Sequence, residues 1–166
     1  MTSSAPPDPL GFVRHDHRKC EETALAAAEA QCAASGARFT PVRRAVLEIL
    51  LREHRAFGAY EILDRLREAG FGSQPPVAYR ALEFLVGQGL AHRVEKLNAF
   101  IACAHPGASH DPGFMICRQC QAVAETRGEA RAGALDSAAE ATGFVIERTV
   151  VEAEGLCPRC ARKAAP

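Results

Sequence analysis

The 166-residue chain balances 20 Lys and Arg against 20 Asp and Glu, and 48% of its residues are apolar. That apolar fraction supplies packed cores and excludes wholesale disorder, while the longest apolar run, Ala45 to Leu51, is broken by Glu48 and cannot span a membrane. The first residues lack the charged start and apolar stretch of a secretory signal, so a soluble cytoplasmic protein of one ordinary domain or two small ones is expected.

Residues 1–19 read as a flexible tail of Ser, Pro, Asp and Gly that closes on His15-Asp16-His17-Arg18-Lys19. An alanine-rich helix is predicted from about Glu21 to Ala34 and is stopped by Ser35-Gly36. Leu25 is its only large apolar residue, which suggests an accessory role in packing. Thr40-Pro41 opens the next helix, with Thr40 as N-cap and Pro41 at the first helical position, where a missing N–H costs nothing. Val42, Val46, Ile49 and Leu50 form its apolar stripe.

A second helix is predicted near Ala59 to Ala69, burying Ile62, Leu63 and Leu66. Pro75-Pro76 launches a third, Val77 to Val86, with Ala81, Leu82 and Leu85 inward and Gly89 as terminator. Ala91–Val94 and Ala99–Ala102 read as strands around Lys96-Leu97-Asn98. Three short helices followed by a hairpin outline an N-terminal winged helix-turn-helix domain over residues 20–102.

After Cys103 the texture changes. Pro106-Gly107-Ala108-Ser109 and Asp111-Pro112-Gly113 mark a hinge loop over residues 103–112. Phe114–Cys117 and Ala122–Glu125 read as strands joined by a tight turn, Gly128 to Thr142 as an amphipathic helix, and Phe144 to Glu154 as an alternating strand. These make a small α/β C-terminal domain over residues 113–162, and the whole is α+β.

Seven cysteines in a chain with no secretion signal point to reduced thiols, and hence to metal or redox chemistry. Cys117-x-x-Cys120 and Cys157-x-x-Cys160 are two knuckles, 36 residues apart, able to set four thiolates at the corners of a tetrahedron. Zinc with four sulfur ligands is a closed structural site with no open position for catalysis. A redox use would want one such pair leading into a helix.

His92, Cys103, His110 and Glu125 form a looser set of mixed N, S and O donors suited to zinc, with His105 competing with His110 as the third ligand. On the residues alone, the same side chains also suit a solvated surface. A catalytic zinc hydrolase would use this set differently, with Glu125 as base, but no His-Glu-x-x-His motif is present. His15, His17 and Cys20 are a further possible metal-binding group, and Cys32 reads as a packed thiol.

The net charge of zero conceals a distribution of −2 over residues 1–36, +3 over residues 37–96 and −1 over residues 97–166. Only the middle segment has the sign that contact with phosphates requires. In a helix-turn-helix the second helix of the motif enters the major groove. Tyr79 and Arg80 would then face DNA, with Arg80 long enough for a guanine edge and Arg43 placed to hold a phosphate.

Ala37-Arg38-Phe39-Thr40-Pro41-Val42-Arg43, Ala59-Tyr60-Glu61-Ile62-Leu63-Asp64, Pro75-Pro76-Val77-Ala78-Tyr79-Arg80-Ala81-Leu82-Glu83-Phe84-Leu85 and Gly89-Leu90-Ala91-His92 occur in this order ahead of the two knuckles. This series, from about residue 20 to residue 160, resembles the ferric uptake regulator (Fur) family. The usual Pro-Pro-Thr-Val-Tyr-Arg reads here Pro75-Pro76-Val77-Ala78-Tyr79-Arg80, and the His-rich stretch of iron-sensing members is reduced to Ser109-His110-Asp111-Pro112-Gly113. Leu97 to Cys103 and Gly155-Leu156-Cys157 instead look like the zinc uptake regulator (Zur) branch.

The resemblance implies a zinc-responsive repressor, not an enzyme. It would bind palindromic double-stranded DNA as a homodimer when zinc-loaded, controlling zinc uptake genes, with no small-molecule substrate. It also implies two zinc ions per chain, the regulatory one on His92, Cys103, His110 and Glu125, and a base contact from Tyr60. The alternative within the family is a sensor of another metal or of peroxide. Thiolate ligation by Cys103 weighs against hard Fe²⁺.

Overall fold

The computed structural model describes residues 10–13, 16–72, 74–107, 110–126 and 133–164. The chain divides into two units, one of residues 14–108 and one of residues 109–166 together with 1–13.

The first unit runs α1 (His17–Ser35), α2 (Pro41–Leu51), α3 (Ala59–Glu68), α4 (Pro75–Gly87), β1 (Ala91–Val94) and β2 (Ala99–Ala102). Helix α1 begins four residues before its apolar pattern starts, because Asp16 caps it by accepting from the Lys19 N–H at 3.5 Å. Residues 17–19 of the expected tail are therefore helical. Its end is as expected: Gly36, at φ 69°, takes the left-handed cap that a side chain would resist. Ala28 and Cys32 are fully buried, with Ala24 and Leu25 packed beside them. Small residues let α1 approach the core closely, so it contributes more than the lack of large side chains implied.

Helix α2 starts at Pro41, but Thr40 does not cap it with its side chain; the Thr40 hydroxyl oxygen is buried without a hydrogen-bond partner. The fixed φ of Pro41 starts the helix instead. Val46, Leu50, Ile62, Leu66, Leu82 and Leu85, each 0–1% exposed, close the core between α2, α3 and α4. The two strands pair antiparallel, with His92 opposite Ile101. Phe57 adds a one-residue third strand by exchanging N–H···O bonds of 2.8 Å with Phe100. A single bridging residue has no periodicity, so sequence pattern cannot reveal it.

Arg55 anchors the entry to α3. It donates to both Glu61 carboxylate oxygens at 3.0 and 2.5 Å and to Glu53 at 2.8 Å, while lying over the Phe57 ring at 4.0 Å. Hydrogen bonds from Arg55 hold both carboxyls below the ordinary carboxylate range. A depressed carboxyl stabilises the fold fully above its unfolded pKa, and that stability is lost as pH falls through the folded value. Acidification below about pH 4 is thus expected to lower the melting temperature. In Arg55→Ala the drop should be smaller by a few degrees, since pairs this exposed contribute only about 0–1 kcal/mol each. Parallel thermal melts of the two proteins check it.

The second unit holds a 3-10 turn (Leu10–Phe12), β3 (Gly113–Cys117), β4 (Val123–Glu125), α5 (Gly133–Thr142), β5 (Val151–Gly155) and α6 (Pro158–Ala164). Its sheet has the order β4-β3-β5. Strand β3 is antiparallel to β4 and parallel to β5. The parallel pair requires a crossover, and the segment carrying α5 supplies it. The start of that helix was expected at Gly128; residues 127–132 lie outside the described residues.

The strand expected over Phe144 to Glu154 is shorter than its alternation suggests. Only Val151–Gly155 pairs, while Phe144, Val145 and Val150 are 69%, 78% and 44% exposed. Alternation sets which face a residue would take, but a ladder also needs a partner backbone, and β3 accommodates five residues of β5. The 3-10 turn lies within the segment expected as a tail. There Gly11 lies so close to β4 that a Cβ would overlap the Val123 carbonyl oxygen. Among the described residues no helix is long and apolar enough to cross a membrane.

Candidate metal centres and nucleic-acid interface

Parallel pairing of β3 with β5 brings Cys117 opposite Gly155, so both strands deliver their cysteines to the same end of the sheet. A tight turn after Cys117, with Gln121 at φ 62°, returns Cys120. Cys157 precedes α6 and Cys160 sits within its first turn. Each of the four sulfurs lies within 4.8 Å of the others. Cys120 and Cys157 are 3.7 Å apart. Two thiolates on one tetrahedral zinc, with Zn–S near 2.3 Å, stand about 3.8 Å apart, so the cluster fits the ion. Helix α6 was not foreseen, because seven residues carry too little apolar pattern to read.

The electrostatics agree. Backbone N–H groups of Cys157 and Cys120 pull the Cys117 thiol down to about 6, the former donating to its sulfur at 3.3 Å. Burial, followed by hydrogen bonding among the sulfurs, pushes Cys160 up to about 12. Hydrogen bonds thus favour the thiolate at Cys117 and Cys157, while burial opposes it at Cys160. A thiophilic dication removes that conflict. Zinc is such an ion, and bound here it would supply a cross-link and no open coordination position.

The expected regulatory ligands occur as two pairs, one in each unit. In the first unit, Cys103 lies two residues beyond Ile101, the partner of His92, and its N–H bonds the Leu90 carbonyl at 2.9 Å. Cross-strand partners share a face, and so do residues two apart on one strand; His92 and Cys103 are therefore on the same face of the hairpin. The Cys103 sulfur is buried and accepts the His105 backbone N–H at 3.3 Å. In the second unit, His110 Nε2 meets Glu125 Oε1 at 2.6 Å. Glu125 is only 5% exposed, on a strand whose three residues are all buried. A carboxylate buried to that degree demands a compensating cation or donor. Of the two competing histidines, His110 holds Glu125 through its ring, whereas His105 reaches Cys103 through its backbone.

Helix α4 buries Ala78, Ala81, Leu82 and Leu85 and turns its other face outward. Tyr79, at 43% exposure, is not packed into the core, and Arg80 is exposed beside it. Tyr60, at the start of α3, is 69% exposed. Arg43 is differently engaged: its guanidinium stacks on the Phe84 ring at 3.6 Å and donates to the Arg38 carbonyl. His17 and Cys20 lie on α1, and His15 lies outside the described residues.

No family model matches the chain. It is 39% identical over 137 residues to the zinc uptake regulation protein of Escherichia coli strain K12, an alignment covering 82% of this chain and 80% of that protein. Among solved structures, a zinc uptake regulator complexed with zinc and DNA matches at TM-score 0.81 and 37% identity, over 88% of this chain and 98% of the other. The holo form of XcZur matches at TM-score 0.75 and 38% identity, over 84% and 98%. Its apo form matches at 0.50, over 86% and 99%.

Proposed function

Because the chain belongs to the family of zinc uptake regulation proteins, the Zur branch of the Fur family, we propose that it is a zinc-responsive repressor that grips operator DNA when loaded with zinc. It regulates and does not catalyse. The observation that carries this reading is the division of ligands: one unit holds a His–Cys pair and the other a His–Glu pair. Two ligands alone hold zinc weakly, and four complete its tetrahedron. His92, Cys103, His110 and Glu125 would thus be satisfied together only in one setting of the hinge at residues 103–112.

Residues 20–102 are the DNA-binding domain in this reading and residues 113–162 the dimerisation domain. Arg80 reads a base edge, Tyr79 and Tyr60 add contacts, and Arg43 positions its helix against the backbone of the duplex. The exposed apolar residues Leu135, Phe144, Val145 and Val150 support a homodimer, because a surface of this kind calls for a cover. Beside them a groove of about 330 Å³, lined by Leu135, Ala139, Phe144, Ile146 and Val150 among others, would receive the second copy. Two zinc ions per chain follow, one structural and one regulatory, and the protein works in the cytoplasm, where thiols stay reduced.

Holo and apo XcZur differ in shape, since one chain superposes on them at TM-scores of 0.75 and 0.50. A change of that kind is what the regulatory pairs would drive here. A gain of two to three orders of magnitude in DNA affinity needs about 3–4 kcal/mol of coupling. The test is fluorescence anisotropy on a duplex selected from a random-sequence pool, titrated at buffered free zinc. Binding should rise with zinc, and Arg80→Ala should weaken it by about 1–3 kcal/mol at its base pair. Affinity independent of zinc would sink the reading.

A further inference from the structure

Strand β4 lies at the edge of the sheet β4-β3-β5, yet all three of its residues are buried. An edge strand presents a row of backbone groups that no neighbouring strand pairs, and folded proteins cover such edges with a loop or a helix. In the ladder to β3, the Ala122 carbonyl accepts from the Cys117 N–H at 2.9 Å and the Thr126 N–H donates to the Gly113 carbonyl at 2.8 Å. Backbone groups alternate in direction along an antiparallel ladder, so the N–H and carbonyl of Val123 face the other way, toward the edge.

The 3-10 turn Leu10–Phe12 covers that edge. Gly11 approaches so closely that an added Cβ would overlap the Val123 carbonyl oxygen and stand 3.0 Å from the Ala124 Cα, backbone atoms that cannot turn aside. Gly11 is not among the glycines at positive φ, so the close approach is what requires a glycine here. The next residue, Phe12, is half-buried and packs against the cluster of Cys117, Cys157 and Cys160, beside Cys120 and Leu156. Of the four knuckle cysteines, Cys120 is the one that the fold does not bury fully.

We propose that residues 10–12 are a strap that closes the second unit: Gly11 seals the β4 edge, and the Phe12 ring roofs the four-cysteine centre and slows the release of its metal. The second half rests on the reading that zinc occupies this centre. A bound metal leaves when a competing ligand or solvent reaches it, and an apolar cover limits that access without changing the donor set. The strap therefore acts on the rate of zinc loss. It also holds in place the strand that carries Glu125.

The test uses the full zinc-loaded chain carrying Cys103→Ser, which disables the bridging quartet and spares the four-cysteine centre. Amide hydrogen exchange is followed by nuclear magnetic resonance, and zinc transfer to a chromophoric chelator by absorbance. Gly11→Ala would be neutral or slightly stabilising in a solvated segment. Against the docked strap it should speed exchange of the Val123 amide by about tenfold or more and leave the amides of α2 and α4 unchanged. Phe12→Ala should speed zinc transfer by roughly tenfold, and Phe12→Leu, which keeps an apolar cover, by much less.

A Val123 amide that exchanges at the parent rate in Gly11→Ala would overturn the strap. Zinc transfer at the parent rate in Phe12→Ala would overturn the roof over the centre. A parent protein with no zinc by elemental analysis, whose Val123 amide still responds to Gly11→Ala, would instead overturn the zinc reading and leave the strap standing on the sheet edge.

Discussion

Replacing Cys157 with serine is expected to strip the structural zinc and unfold the unit built on β3, β4 and β5. Cys157 follows β5 and leads into α6, and its N–H donates to the Cys117 sulfur at 3.3 Å. The substitution therefore removes a ligand and disturbs the backbone that polarises a second one. Among the described residues, the buried apolar side chains of this unit beyond the cysteine cluster are Phe114, Ile116, Val123 and Ala124 on the strands, with Ala139 on α5. A core of that size contributes only a few kcal/mol. A structural zinc supplies an apparent 10–16 kcal/mol or so in small metal-dependent domains, as much as the whole stability of an ordinary one. Elemental analysis should show the tightly held ion gone, and circular dichroism should show strand signal lost at room temperature. Chelation of the wild type by a strong thiophilic chelator should reproduce the result. A Cys157→Ser protein that keeps its zinc and melts like the wild type would show that the cluster does not hold this unit together.

His92→Ala should leave a folded protein whose DNA binding no longer responds to zinc. The side chain lies on a hairpin whose core-facing residues Ala91, Val94 and Ala99 are untouched by the change, so stability should move little. Loss of one of four ligands leaves zinc nothing that both units can complete, and the differential affinity that shifts the population disappears. The expected fall in affinity at saturating zinc is about 100- to 1000-fold, the 3–4 kcal/mol or so of coupling asked of the site. The affinity of the metal-free form should not change. Acid should mimic the substitution in the wild type, because Cys103 must release its proton to bind. Anisotropy titrations at fixed free zinc, with a thermal melt as control, decide the matter. Normal zinc-dependent binding by His92→Ala would show that the ligand set is wrongly drawn.

The elements that could be read without coordinates are those whose local signals agree. Pro41 and Pro75 start helices, Gly36 ends one, and the strands Ala91–Val94 and Ala99–Ala102 match their pattern residue for residue. The two knuckles named their own chemistry, because a Cys-x-x-Cys turn is a local object that needs only four residues. The first helix was misjudged at both levels. Its start depends on the Asp16 cap, and its packing on Ala28 and Cys32, which look like filler until a neighbour covers them.

By itself the sequence determined the family, the winged-helix outline and the cysteine pairs, since each depends on residue type and on signals close along the chain. Tertiary structure alone decided that β5 runs parallel to β3 and so delivers both knuckles to one end of the sheet, and that Glu125 is buried against His110. These are meetings between residues 15 to 40 positions apart. No local propensity specifies them. They follow from which surfaces become buried when the whole chain collapses, and that is a property of the folded chain rather than of any segment.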